Sequence, residues 1–285
     1  MDQLPIELLY LIFEKIKFYD QVNFIHVCRK LNQLLITDFY NVPVEIIYKL
    51  NDKILENKSY ITKLYLCADQ EITSISHLKK LKLLSCDSKE LTCNDLKDFN
   101  LTELHAYGNA QIKNIGHMTN LKVLYCANDC GISDEDIIGL DLIKLYAKNN
   151  PKITNINHLK NLKILNCDFD SGINDEGIKD LNLVELSATY NPKIKKINHM
   201  SNLKKLTCEN SCAITYDDIK NLNLTKLYAN GNKKIKRIGH MCNLKVLWCG
   251  GDCNISDDDI KGLNLEELYS DYNPKVTIKI GKSPF

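Results

Sequence analysis

A 41-residue period runs through most of the chain and leaves few folds open to it. The stretches LTELHAYGN, LIKLYAKNNP, LVELSATYNP, LTKLYANGN and LEELYSDYNP begin at Leu101, Leu142, Leu183, Leu224 and Leu265, each 41 residues after the one before. Midway between them stand LKVLYC, LKILNC, LKKLTC and LKVLWC, from Leu121, Leu162, Leu203 and Leu244. The period is therefore two alternating units of about 20 residues, an odd and an even one. An opening pair, ITKLYLCAD from Ile61 and LKLLSC from Leu81, brings the count to eleven. Such a period marks a solenoid, because one unit cannot bury its own apolar side and only stacking closes a core.

Apolar residues recur at positions one, four, six and twelve of each unit, and again toward its end. Leu101, Leu104, Ala106, Ile112, Ile115 and Met118 mark an odd unit; Leu121, Leu124, Cys126, Ile132, Ile137 and Leu140 mark an even one. Positions three to seven alternate, as a short strand does, so four and six face inward while three and five face outward. Asparagine holds position nine at Asn109, Asn150, Asn191, Asn232 and Asn273, where its amide can satisfy backbone groups of a turn. The pattern resembles the leucine-rich repeat. The even-unit segments ISDEDI from Ile132, INDEGI from Ile173 and ISDDDI from Ile255 resemble the cysteine-containing type common in F-box proteins. Asp129, Asp170 and Asp252 stand where that type has cysteine, and Cys130, Cys212 and Cys253 follow one place later. The resemblance implies an α/β solenoid, a leucine-rich-repeat horseshoe over residues 61–275 with one short parallel strand per unit. At about 4.8 Å per strand its concave face would be roughly 50 Å long. The alternating VTIKI from Val276 is expected to cover the last coil, making 276–285 a C-terminal cap.

Residues 4–35 read as three short helices. Pro5 and Glu7 suit a first helical turn, Leu8, Leu9, Ile12, Phe13 and Ile16 form one apolar stripe, and Asp20 suits the cap of a second helix. The segment resembles the F-box on Leu4-Pro5, Glu7-Leu8-Leu9, Ile12-Phe13, Ile16, Asp20 and Val27-Cys28-Arg29, with Gln21 and Leu31 standing where the family has Leu and Trp. That resemblance implies a small three-helix domain over residues 1–40 that docks on the Skp-family adaptor, and through it a cullin, of an SCF-type ubiquitin ligase. Leu4, Pro5, Leu8, Leu9, Ile12 and Phe13 would face the adaptor, and the repeats would hold a target protein without catalysing anything. The alternative is a protein-interaction scaffold outside the ubiquitin pathway, whose N-terminal helices only cap the solenoid. Residues 41–60, with Val44, Ile47, Leu50 and Ile54 at helical spacing, read as a helical joint.

The remaining features narrow the function by exclusion. The 285 residues carry 37 basic and 36 acidic side chains, a net charge of +1, so no global field draws the chain to nucleic acid or membrane. Glu7, Glu14 and Lys15 interrupt the apolar N-terminus, which therefore does not read as a signal peptide, and no membrane span is expected. Twelve cysteines in such a chain point to reduced thiols and an intracellular protein, cytoplasmic or nuclear. No Walker A loop, G-x-G-x-x-G, G-x-S-x-G or H-E-x-x-H occurs, so no enzyme and no cofactor are expected. The pairs Cys126/Cys130, Cys208/Cys212 and Cys249/Cys253 and the ladder His117, His158, His199, His240 have spacings zinc tolerates. The histidines, however, come from every second coil, about 10 Å apart, which reads as packing rather than a metal site. Basic runs such as Lys193/Lys195/Lys196 fall in odd units and acidic runs such as Asp257-Asp258-Asp259 in even ones, predicting ion pairs across the outer surface. The outward strand positions are left for recognition. We expect a target-binding concave face from Tyr125, Tyr146, Tyr228, Trp248 and Tyr269 at position five, with Lys226, Val246 and Glu267 at position three.

Overall fold

A computed structural model of the chain describes residues 37–40, 42–67, 72–87 and 91–280, together with Lys15, Lys17 and Gln21. Twelve parallel strands form one open sheet in strict chain order. They are β1 (Asp38–Phe39), β2 (Lys63–Leu66), β3 (Leu83–Cys86), β4 (Glu103–His105), β5 (Val123–Tyr125) and β6 (Lys144–Tyr146). The second half is β7 (Ile164–Asn166), β8 (Glu185–Ser187), β9 (Lys205–Thr207), β10 (Lys226–Tyr228), β11 (Val246–Trp248) and β12 (Glu267–Tyr269). The leucine in the middle of each strand from β4 onward is buried, as are the alanine or cysteine two residues later in most units, and the outward neighbours flank it. Register never slips: Leu145 pairs Leu165 as Leu186 pairs Leu206, so each repeat position forms a straight column across the sheet.

Eleven strands belong to the eleven repeat units, and β1 precedes them. Its pairing of Asp38 with Lys63 and Phe39 with Leu64 puts residues 41–60 between two neighbouring strands. There they form two single turns, α1 (Val44–Ile47) and α2 (Asp52–Leu55). Asn51 caps α2, its side chain accepting from the Ile54 amide at 3.0 Å. Restarting the helix at a cap shifts its phase, so Leu55 is buried and Ile54, which the helical spacing aimed inward, is 39% exposed.

Each even unit from Leu81 onward crosses the back of the solenoid through one helical turn: α3 (Cys93–Leu96), α4 (Asp134–Ile137), α5 (Asp175–Ile178), α6 (Tyr216–Ile219) and α7 (Asp257–Ile260). The serine or threonine before α3, α4, α6 and α7 and the aspartate at their third position form a capping box. The acidic runs act mainly here, and the expectation that they pair with lysine side chains needs correcting. The Asp175 carboxylate accepts from the backbone amides of Lys195 and Lys196 at 2.7 and 2.9 Å, and that of Asp259 from the Arg237 amide at 2.5 Å. The lysines in turn donate to carbonyls: Lys152 to Cys130, Lys193 to Ser171 and Lys234 to Cys212, at 2.8–2.9 Å. Lys233 with Asp252, at 3.0 Å, is one of the pairs that do form. Loop amides in one coil lack a partner within that coil, and an aspartate in the coil before or after supplies it.

The asparagines at position nine bind the coils together. Asn150 is buried, donates to the Cys126 and Ile132 carbonyls at 2.8 and 3.2 Å, and accepts from the Lys152 amide at 3.0 Å. Asn232 and Asn273 repeat the arrangement. Position eight is left-handed in nine successive units, from Gly108 (φ 66°) to Tyr272 (φ 61°), and in the five odd ones it directly precedes the asparagine. At the C-terminal end Val276 is buried and Ile278 and Ile280 pack against the core, the Asp257 carboxylate accepting from the Thr277 and Ile278 amides at 2.9 and 3.1 Å.

Replacing Asn150 by alanine strands two carbonyls and one amide in the core. Urea unfolding of Asn150→Ala should show a loss of about 1–3 kcal/mol. Lys160→Ala, which removes an exposed 3.7 Å ion pair to Asp180, should stay within about 0.5 kcal/mol.

Candidate protein-interaction site

The column at position five reads, from β2 to β12, Tyr65, Ser85, His105, Tyr125, Tyr146, Asn166, Ser187, Thr207, Tyr228, Trp248 and Tyr269. All but Ser85 are half-buried, each ring leaning on its neighbours while one side faces solvent. The aromatics fall into two groups. In the first, Tyr125 and Tyr146 stack with centroids 4.0 Å apart and planes 2° from parallel, and His105 lies 4.1 Å from Tyr125. Tyr40, just past β1, meets both Tyr65 at 6.1 Å and His105 at 5.6 Å, with the short Ser85 between those two in the column. In the second, Trp248 contacts Tyr228 at 5.1 Å and Tyr269 at 5.2 Å.

The structure thus brings Tyr125 to Tyr146, and Tyr228, Trp248 and Tyr269 to one another, while three polar residues separate the two sets. Among the position-three residues, Lys226 is exposed and Glu267 accepts from the Trp248 indole at 2.7 Å. Val246 is only 8% exposed and offers little surface. The adaptor-facing residues Leu4, Pro5, Leu8, Leu9, Ile12 and Phe13 lie outside the described residues.

Sequence reasoning missed positions seven and eight. Position seven also faces outward, since Asp168 accepts from Asn166 at 2.8 Å and from the Ser187 hydroxyl at 2.7 Å, both of the position-five column. Asp168 also accepts from the Thr189 amide, and Asn230 donates to Glu209 at 2.7 Å. Burial, then Asp168, pushes the Glu209 carboxyl upward, against the Asn230 bond. Position eight is the left-handed one, and six of its nine residues are Gly or Asn, which tolerate that backbone. The other three are Phe169, Tyr190 and Tyr272, where a side chain costs about 1–2 kcal/mol. Phe169 and Tyr190 stack at 5.1 Å, and the Lys148 ammonium sits 4.6 Å from the Phe169 ring centre. Tyr272 is 91% exposed. The signal lay in the repeat itself: position eight departs from Gly or Asn at these three places.

The histidine column serves the backbone. His77, His117, His158 and His240 place Nε2 at 2.7–3.1 Å from carbonyls of Leu55, Leu96, Ile137 and Lys220, at the ends of helical turns one unit earlier. Burial pushes the Cys126, Cys167 and Cys208 thiols well up, Cys130 and Cys212 to about 11, and Cys249 to about 12, which favours the protonated thiol over a metal-binding thiolate. Among the described residues no three His, Cys, Asp or Glu side chains are grouped to hold a metal ion. Nor is any helix among them long and apolar enough to cross a membrane.

Residues 1–38 match the family model of the F-box domain. No curated protein sequence matches the chain. Among solved structures it is similar to an internalin from Listeria monocytogenes, with 23% identity and a TM-score of 0.56 over 77% of this chain and 73% of that one. It is also similar to the functional domain of InlJ from Listeria monocytogenes (22%, TM-score 0.49, 80% and 56% covered). A third neighbour is a chain of the yeast Rad7 and Elc1 complex (16%, TM-score 0.49, 98% and 92% covered). The first likeness establishes a shared fold; the other two are too distant to argue from. The chain thus joins an F-box sequence to an open leucine-rich-repeat sheet.

Burial, ahead of any charge, raises the Tyr65 phenol to about 12, and it also raises Tyr125 and Tyr228. A phenol whose folded pKa exceeds its unfolded value of about 10 stabilises the fold fully below that pH. The contribution is lost as pH climbs through the folded value. A phenolate absorbance titration should therefore show a late step near pH 12 that Tyr65→Phe removes, with stability declining above about pH 10.

Proposed function

We propose that the chain is the substrate-recognition subunit of an SCF-type, cullin–RING ubiquitin ligase. Residues 1–38 dock on the Skp-family adaptor through Leu4, Pro5, Leu8, Leu9, Ile12 and Phe13, and the outward face of the sheet holds a target protein. The chain performs no chemistry; it supplies proximity and orientation, which convert ubiquitin transfer into a step between pre-positioned partners. The observation that carries this reading is the direct join between the two parts. The F-box match ends at residue 38, and Asp38 opens β1, hydrogen-bonded into the repeat sheet. No Gly/Ser-rich tether separates them, as suits a receptor that must hold its target at a set place. The half-buried aromatic groups around Tyr125 and Tyr146 and around Trp248 supply the large rigid anchors that protein interfaces favour.

Co-expressed with a Skp-family adaptor and a cullin, the full chain should co-elute with both. Leu8→Asp combined with Phe13→Asp should weaken adaptor binding about thirtyfold or more, while Trp248→Ala should leave it unchanged. A full chain that recovers neither adaptor nor cullin from a eukaryotic lysate contradicts the proposal and favours a plain scaffold. Truncation should stop at residue 36, since removing 37–40 would delete β1 and expose the edge of β2. That shortened chain should stay soluble and keep its target.

A further inference from the structure

An open groove of about 390 Å³ crosses the C-terminal end of the sheet's outward face. Its floor exists because side chains are missing. Positions seven and eight, which carry Asp168 and Phe169 or Glu209 and Asn210 in earlier units, are Gly250 and Gly251 here, beside Gly231. A Cβ on Gly250 would lie 2.7 Å from the Asp271 carbonyl oxygen, so the close approach of two coils excludes any side chain there. Gly251 differs: a Cβ would meet nothing closer than 3.8 Å, and only its φ of 64° favours glycine.

The walls are aromatic and acidic. Tyr269, the last ring of the Trp248 group, stands on one side. Tyr272 also lines the groove, 91% exposed and in a left-handed backbone that the neighbouring coils give to Gly or Asn. Phe169 and Tyr190, the other aromatics at this position, stack on each other; among the described residues Tyr272 makes no ring contact, so the fold does not account for it. Of the charged lining residues, Lys233 and Asp252 neutralise each other at 3.0 Å. The Asp271 carboxylate has no partner among the described residues, and the groove is left with one net negative charge.

We infer that this groove receives a basic side chain, arginine in preference to lysine, of the protein held on the sheet's outward face. The guanidinium lies against Tyr272 and Tyr269 while its fork meets the Asp271 carboxylate. Both contacts suit a planar, weakly hydrated cation better than a compact ammonium. The inference rests on the reading of this face as the target-holding surface and adds the chemistry of one anchoring residue.

Two-dimensional NMR of the full chain, titrated with the blocked tripeptide Ala-Arg-Ala and with Ala-Lys-Ala and Ala-Glu-Ala, tests it. The arginine peptide should give saturable shifts at the Gly231, Gly250 and Gly251 amides, the lysine peptide weaker ones, and the glutamate peptide none. Asp271→Asn should weaken the arginine peptide about tenfold or more. Gly251→Asn should block it, and the substitution keeps the left-handed backbone that Asn128, Asn149 and Asn210 already hold. Tyr272→Gly should weaken binding about two- to fivefold while leaving thermal stability unchanged or higher, an effect a structural role for the ring would reverse. Shifts that are absent, are reproduced by the glutamate peptide, or survive both Asp271→Asn and Gly251→Asn overturn the inference. Adaptor binding is read separately: an inert groove on a chain that still binds the adaptor removes this inference alone, and a responsive groove on a chain that does not removes the ligase reading alone.

Discussion

A single buried amide per 41 residues sets the geometry on which the other features depend. Asn150, Asn232 and Asn273 each tie a turn to two carbonyls of an earlier coil and to an amide two residues ahead. A backbone that turns this sharply at every coil needs its buried polar groups met, because each one left bare would cost about as much as several exposed ion pairs contribute. The left-handed residue before each asparagine follows from the same turn. So does the register, since coils closed identically stack identically.

That constraint divides the chain between structure and recognition. The inward columns are fixed by packing, and the histidine, acidic and lysine columns by backbone groups of adjacent coils. Positions three, five, seven and eight remain on the outward face, and there the repeat varies in character. The variation is patterned: two aromatic groups lie on either side of Asn166, Ser187 and Thr207, with the glycine-floored groove beyond the second. A solenoid whose recurring residues serve stacking leaves a regular surface, along which such differences can be read by a partner. The F-box match runs to residue 38, where β1 already pairs with β2 of the repeat sheet.

Much of this was legible in the sequence, and what was not has a common cause. The period, the inward leucines, the cysteine and alanine filler and the asparagine turn all follow from spacing within a unit. β1 was invisible because two residues, Asp38 and Phe39, carry no pattern and pair only because β2 offers an edge. The spacing of Val44, Ile47, Leu50 and Ile54 misplaced the buried side of 52–55 because the cap at Asn51 resets the helical phase. The acidic runs and the histidine ladder looked like surface features. Their partners are backbone groups about 20 residues away, which no side-chain pattern records. The exceptional aromatics at position eight were present in the sequence all along, but only the observed left-handed backbone made them exceptional.

If residues 1–38 hold the adaptor, the two ends of the chain serve different partners and the sheet's outward face stays free for the target. Hydrogen–deuterium exchange of the full chain, alone and with a recombinant Skp-family adaptor, tests that division directly. Protection should rise within residues 1–38, with exchange in β4 to β12 unchanged. Protection spread over the strands carrying Tyr146 and Trp248, or no protection anywhere, would contradict it.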